Sequence, residues 1–308
     1  MMWKAQAPSN IALIKYMGKK DATINLPLNP SLSYTLKNFY TKVTLEQIEA
    51  KDDIWEPLNT KDNVILSLAQ SQIDRFLNHL KRMKQIFAVS GNFKVCSANN
   101  FPKGIGLASS ASSFAALTKC ALTAFAELTQ KPPLSINQQA NIARLASGSS
   151  CRSFYAPWCL WDEDRVMRVP THYKELLHYP VIFTNSEKKI SSSNAHLMIQ
   201  TSPNFTGRQA RATQRLQKLL PALQKGAWQE IYQICRAEFL DMHNLFATSN
   251  PPFSYITPSC NELLQQIDAE WRITKDGPIV TMDAGSTVHL LFRQDQAKIL
   301  NRYKSEYK

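Results

Sequence analysis

Four short segments gather the residue types that could do chemistry. In NIALIKYMGKKD, Lys15 follows the apolar Ile11, Leu13 and Ile14. A lysine buried at the end of such a run is costly without an anionic partner, so Lys15 calls for a carboxylate or a phosphate. The alternative is an edge-strand lysine pointing to water. Lys19 and Lys20 beside Gly18 are loop cations within reach of a ligand, although solvated loop lysines are common. In FPKGIGLASSAS, residues 101–112, two glycines and then small hydroxyl residues lead into an apolar helix. Backbone N–H groups and a helix N-terminus then face outward together, which makes a phosphate cradle; simple helix capping is the other reading. The segment lacks the Gly-Lys-Ser/Thr ending of a Walker loop, and Ser109 stands where a dinucleotide fingerprint needs its third glycine.

The third segment, Ser147-Gly-Ser-Ser-Cys-Arg-Ser, packs four hydroxyls, a glycine and an arginine into seven residues after a helix. It can bind an oxyanion, with Arg152 bidentate and the serines as neutral donors, or be a solvated turn. The fourth is Thr281-Met-Asp-Ala-Gly-Ser, where Asp283 at a strand end either does catalysis or satisfies turn amides.

These segments need positioning elements. The β-branched and aromatic residues of 31–49 predict a strand, and 86–97 repeats the pattern after an amphipathic helix over 62–83. A buried helix is expected over 108–128. Ser135 and Gln138 form a capping-box pair that opens a helix running to about Leu145. Strand character follows at 151–161, 165–169 and 180–184; helices are expected at 208–220, 228–244 and 258–271, with a Pro-rich break at 250–253. Strands 278–282 and 288–292 flank the Asp283–Ser286 reversal. Without regular βαβ alternation, the order favours an α+β fold of two lobes divided near 170–185.

Composition narrows the classes. With 308 residues, 44% hydrophobic and 19% charged, the chain is ordinary globular material of about two domains. Only nine glycines are present where average usage gives roughly 21. Five of them, Gly18, Gly104, Gly106, Gly148 and Gly285, fall in the four segments. The net charge of +12 attracts polyanions, but the basic residues are spread along the chain rather than clustered on one element with aromatics, which argues against a nucleic-acid binder. Six scattered cysteines without a C-x-x-C pair predict free thiols, and with no apolar leader or membrane-length segment the expected location is cytoplasmic. The six histidines have no metal-ligand spacing, so no protein metal site is expected.

Together the segments resemble the diphosphomevalonate decarboxylase family of the GHMP kinase superfamily, in order and across nearly the whole chain. NIALIKYMGKKD is similar to N-I-A-x-x-K-Y-W-G-K-R-D, NLPLNPSLSYTL to L-P-x-N-x-S-x-S-x-T-L, and NNFPKGIGLASSAS to N-N-F-P-x-x-x-G-L-A-S-S-A. SGSSCRS is similar to S-G-S-A-C-R-S and TMDAG to T-x-D-A-G. The resemblance implies a two-lobed GHMP kinase fold. Its N-terminal lobe, residues 1–180, would be ribosomal protein S5 domain 2-like and bind ATP, and its C-terminal lobe, 181–308, would be ferredoxin-like. It also implies a homodimer that uses ATP and Mg2+ on mevalonate 5-diphosphate, giving isopentenyl diphosphate, ADP, phosphate and CO2. By the same resemblance Asp283 takes or orients the hydroxyl proton, Lys15 keeps it ionised, and Arg152 holds the substrate carboxylate. Lys103, Gly104, Gly106, Leu107, Ala108, Ser109 and Ser110 would cradle ATP. Tyr16, Met17, Gly18 and Lys19, with Ser147, Gly148, Ser149, Ser150, Cys151 and Arg152, would hold the acid substrate.

The chain departs from the pattern at several positions, of which Ile65 and Asn194 concern the diphosphate end. Met17 replaces a tryptophan, Ile65 an arginine, Phe246 a histidine, and Asn194 ends the KKISSSN segment where Arg or Thr is usual. Ala156-Pro157 stands where a double glycine is usual. Losing a bidentate arginine costs a phosphate contact of roughly 1.5 to 3 kcal/mol. The same reaction on mevalonate 5-phosphate, or a 3-hydroxyl kinase without decarboxylation, are the alternatives within this chemistry.

Overall fold

The computed structural model describes residues 1–59, 67–102, 107, 109–183 and 190–307. The N-terminal part comprises strands β1 (Met2–Ile14), β2 (Lys19–Asp21), β3 (Leu26–Pro27), β4 (Ser31–Ile48) and β5 (Ile54–Pro57), then helix α1 (Gln70–Phe87) and β6 (Asn92–Asn99). Helices α2 (Ser109–Thr129) and α3 (Ile136–Ala146), a 3-10 turn (Gly148–Phe154), β7 (Trp158–Asp162) and β8 (Arg165–Arg168) complete it. The C-terminal part runs β9 (Leu177–Ile182), α4 (Ser192–Met198), α5 (Arg208–Lys225), α6 (Trp228–Ala247), α7 (Pro258–Thr274), β10 (Ile279–Thr281), β11 (Thr287–Phe292) and α8 (Ala297–Glu306).

The long strand β4 organises a six-stranded sheet of order β5-β6-β4-β7-β8, with β1 antiparallel along its other side. Its C-terminal half alternates buried and partly exposed residues, as a half-covered strand should. Its first six residues, 31–36, are buried throughout, and Leu32, Tyr34 and Leu36 join one apolar cluster with Leu216, Ile231 and Phe239 of the C-terminal part. Helix α2 is rich in Ala and Ser and apolar nearly all round, and it packs on β1 and β4 at the centre of the N-terminal core. The C-terminal sheet has the order β10-β11-β9, and α6 packs against both β10 and β1. One apolar cluster runs through both parts.

The expected α+β architecture of two lobes is present. The chain passes from the six-stranded to the three-stranded sheet between Arg168 and Leu177, so residue 180 lies inside β9. Two strand expectations need correction. Helix α1 continues through Phe87, because Met83 and Phe87 extend its buried stripe, and β6 starts only at Asn92. The strand expected from Cys151 begins instead at Trp158. Ser150 Oγ donates back to the Ser147 carbonyl at 2.6 Å and Cys151 Sγ to the Gly148 carbonyl at 3.1 Å, local bonds that compete with a ladder. Pro157 then offers no N–H for pairing. The expected capping box is formed: Ser135 N donates to Gln138 Oε1 at 2.9 Å.

Candidate active site

The site starts where β1 ends. Between Ala12 and Ile14 the register against β4 slips, Ala12 facing Ser33 and Ile14 facing Leu32, so one residue bulges. Bulges re-aim side chains near functional sites. Here Lys15 curls back, and Nζ donates to the Ala12 carbonyl at 2.6 Å and to Asp283 Oδ1 at 2.7 Å. The same carbonyl accepts from Thr281 Oγ1 at 3.2 Å, which joins β10 to the bulge. Lys15 is 1% exposed, whereas the Asp283 side chain keeps 24% of its surface toward a cleft. Burial lowers the Lys15 pKa, with Asp283 opposing and Arg152 reinforcing the shift. Burial alone would raise the Asp283 carboxyl, but the Lys15 ammonium and its hydrogen bond outweigh it and hold the carboxyl below its usual range.

Backbone bonds fix Lys15 from behind. Its N–H donates to Glu238 Oε1 at 3.0 Å, and its carbonyl accepts from Asn29 Nδ2 at 2.9 Å and Arg208 Nη2 at 3.4 Å. Arg208 and Glu238 are fully buried and ion-paired, and Asp241, Arg215 and Arg211 extend the group.

The cleft has a volume of about 250 Å3. From the sequence-expected set it brings together Lys15, Tyr16, Met17, Lys19, Ser110, Ser147, Gly148, Ser149, Arg152 and Asp283. Arg152, 3% exposed, is held by Asn10 Oδ1 on Nε at 3.0 Å and Ser31 Oγ on Nη1 at 3.1 Å. Its Nη2 has no protein partner among the described residues. Gly148 is required by close approach: a Cβ there would lie 2.5 Å from the Tyr16 ring. That ring is itself held between Trp161 and His196, with centroids 4.6 and 4.5 Å away. Gly18 sits at φ +101°, a turn conformation that favours glycine, and its N–H donates to His196 Nδ1 at 3.0 Å. Lys19 Nζ donates to Asn25 Oδ1 at 2.7 Å.

Other expected residues lie off the cleft wall. Ser150 and Cys151 are buried and turned into their own backbone, Leu107 offers its carbonyl to Ser9 Oγ, and Asn194 is exposed, its N–H taken by Ser191 Oγ. Ser109 lines an adjoining hollow with Ser110. Lys103, Gly104, Gly106, Ala108 and Ile65 lie outside the described residues.

Several cleft residues were missed from sequence: Arg75, Asn25, Ser191–Ser193, His196, Met242 and Ala284. Arg75 carries no motif, being one of several cations on an amphipathic helix. It enters the cleft because Nη2 reaches across to the Ala146 carbonyl at 3.0 Å while its guanidinium lies over the Phe114 ring. The triple serine was a legible signal for hydroxyl donors; His196 had none.

The donor set can be tested for Mg2+ and ATP. No group of three or more His, Cys, Asp or Glu able to hold a metal occurs among the described residues. What the cleft offers is hard oxygen, the Ser110 hydroxyl and Asp283 carboxylate. That suits Mg2+ held mainly by phosphate oxygens and water. Among the described residues no helix is long and apolar enough to cross a membrane.

Comparison with known proteins places the chain in a family. Residues 7–170 match the diphosphomevalonate decarboxylase-like N-terminal domain. A diphosphomevalonate decarboxylase of Candida albicans is 28% identical over 322 residues, 96% of this chain and 85% of that protein. A crystal structure of a mevalonate diphosphate decarboxylase from Legionella pneumophila superposes with TM-score 0.94 at 53% identity, over 100% of this chain and 98% of that one. MDDEF in complex with MVAPP, AMPPCP and magnesium superposes with TM-score 0.87 at 29% identity, over 100% and 94%. The chain belongs to the diphosphomevalonate decarboxylase family.

Proposed function

We propose that this protein decarboxylates mevalonate 5-diphosphate with ATP, giving isopentenyl diphosphate, ADP, phosphate and CO2 in the mevalonate route to isoprenoids. The observation that carries the reading is the Lys15–Asp283 pair at 2.7 Å, built from residues 268 positions apart and facing one cleft with Arg152. The Candida and Legionella relatives bear the name of this activity, and MDDEF binds MVAPP with AMPPCP and magnesium.

Asp283 accepts the proton of the tertiary 3-hydroxyl as that oxygen attacks the γ-phosphorus of ATP, and ADP leaves. The C3–O bond then breaks with its electron pair going to phosphate, the C1–C2 pair becomes the C2=C3 alkene, and C1 departs as CO2. Arg152 holds the C1 carboxylate through Nη2, which has no partner among the described residues. Ser110 and Asp283 are the residues that would stand beside a nucleotide-bound Mg2+, which would supply charge neutralisation at the phosphates. Ser110 and the α2 end flank the nucleotide, and Lys19, Arg75 and the 191–193 serines face the substrate diphosphate. Arg75 thereby supplies the cation that Ile65 does not. The lobes divide between 168 and 177. A cytoplasmic homodimer completes the proposal, with six free cysteines supporting a reducing compartment.

The test is parallel measurement of ADP and CO2 from purified protein with Mg-ATP and mevalonate, its 5-phosphate or its 5-diphosphate. Matched products, with the diphosphate preferred, are expected. ADP without CO2 would leave a kinase, and preference for the monophosphate would shift the substrate.

A further inference from the structure

Among the described residues, His196 is the one histidine that lines the cleft. It is 7% exposed on α4, yet it lines the cleft beside Lys19, Arg75 and the 191–193 serines. Its Nδ1 accepts the Gly18 N–H at 3.0 Å. A ring nitrogen that accepts an N–H carries no proton, so in the neutral ring the proton sits on Nε2. Burial, reinforced by the Lys19 charge, pushes the imidazole down to about 3, so the ring is neutral at working pH. The Tyr16 ring packs against it with centroids 4.5 Å apart and keeps its plane. Nε2–H has no protein acceptor among the described residues. His79, by contrast, spends Nε2 on Thr118 Oγ1 at 2.9 Å, away from the cleft.

The surroundings specify the ligand's chemistry. Of the described residues lining the cleft, only Asp283 is acidic, against the cations Lys15, Lys19, Arg75 and Arg152. A neutral donor among cations and hydroxyls suits a phosphate oxygen, because it adds directionality without adding repulsion to the cations.

We propose that His196 is a specificity-determining residue whose Nε2–H donates to the phosphate chain of the substrate, in a tautomer enforced by the Gly18 amide. The inference rests on the reading that the substrate carries such a chain. It ties substrate binding to loop geometry, since the same ring that meets the phosphate holds the Gly18 turn from which Lys19 extends.

Two variants separate the ring's two edges. His196→Asn retains an oxygen near the Nδ1 position for the Gly18 amide but loses the far donor, whereas His196→Gln places an amide N–H near Nε2. We expect His196→Asn to raise KM for the diphosphate about 10-fold, more than for the monophosphate, with kcat nearly unchanged. We expect His196→Gln to recover much of that loss. Calorimetric binding of inorganic pyrophosphate without ATP should weaken by a similar factor in His196→Asn, and 15N spectra of the full chain should show His196 protonated on Nε2 alone. Wild-type KM and pyrophosphate affinity in His196→Asn, or an Nδ1-protonated ring, would overturn the proposal. If no mevalonate is turned over yet pyrophosphate binding and the spectra behave as expected, the catalytic reading fails and the role of His196 stands.

Discussion

At the scale of single residues, the cleft works by setting one buried ammonium against one carboxylate. Each would be unfavourable alone: burial disfavours both charged forms, and the 2.7 Å contact opposes that cost on both sides, outweighing it at Asp283 while the Lys15 pKa stays lowered. Asp283 is therefore ionised at neutral pH, as a group accepting a hydroxyl proton must be. Asp283→Asn should lower kcat by about three decades while nucleotide binding survives, measured by turnover and by nucleotide titration. Turnover near that of the wild type would remove Asp283 from the reaction. The pH dependence follows in sign. Because the folded value is depressed, the carboxylate's contribution is complete above its unfolded value of about 3.9 and is lost as pH falls through the lower folded value. Lys15→Met takes away the main depressing charge and leaves burial, so the acid limb of its residual activity should move to higher pH.

At the scale of elements, the question is what holds Lys15 against recoil. The bulge in β1 turns the Ala12 carbonyl toward the ammonium, and α6 supplies Glu238 to the Lys15 N–H. Helix α5 brings Arg208 to pair Glu238 and reach the Lys15 carbonyl. A buried ion pair adds little net stability over an apolar pair, but removing one partner strands the other. Glu238→Ala should thus destabilise the fold by about 3 to 5 kcal/mol, read from denaturant unfolding midpoints. A loss below about 1 kcal/mol would mean that Asp241 alone satisfies Arg208. This group lies entirely in segments whose sequence reads as ordinary amphipathic helix; nothing in the spacing of Arg208, Arg215, Glu238 and Asp241 distinguishes them from solvated charges.

At the scale of the molecule, the two lobes are not separate cores joined by a hinge. Ile11, Leu13, Leu32 and Tyr34 share one cluster with Leu216, Phe239, Ile279 and Leu290, and the cleft opens where that shared core ends. The lobes should therefore melt together, giving one calorimetric transition whose van't Hoff and calorimetric enthalpies agree. Two resolved transitions would show that the interface is weaker than its burial suggests.

Much of this was legible in the order of residues. The Lys15 segment, the serine-rich loop with Arg152 and the Asp283 turn each carry a local chemical reason: a lysine in an apolar run, hydroxyls beside a guanidinium, an aspartate in a tight reversal. Local bonding also determines the Ser135 cap and the apolar faces of α1 and α2, since these depend on neighbours within about one turn. What only the tertiary structure decided are the groups that meet across long separations. Arg75 becomes a cleft cation because α1 packs beside the end of α3. His196 acquires a fixed tautomer because the Gly18 amide, 178 residues earlier, happens to face it. Cys151 and Ser150, although inside the motif, turn away because a 3-10 turn spends their side chains on its own carbonyls. Sequence spacing determines which residues share a helix face or a turn; which faces and turns converge is set by packing of the shared core, and packing is a property of the whole chain.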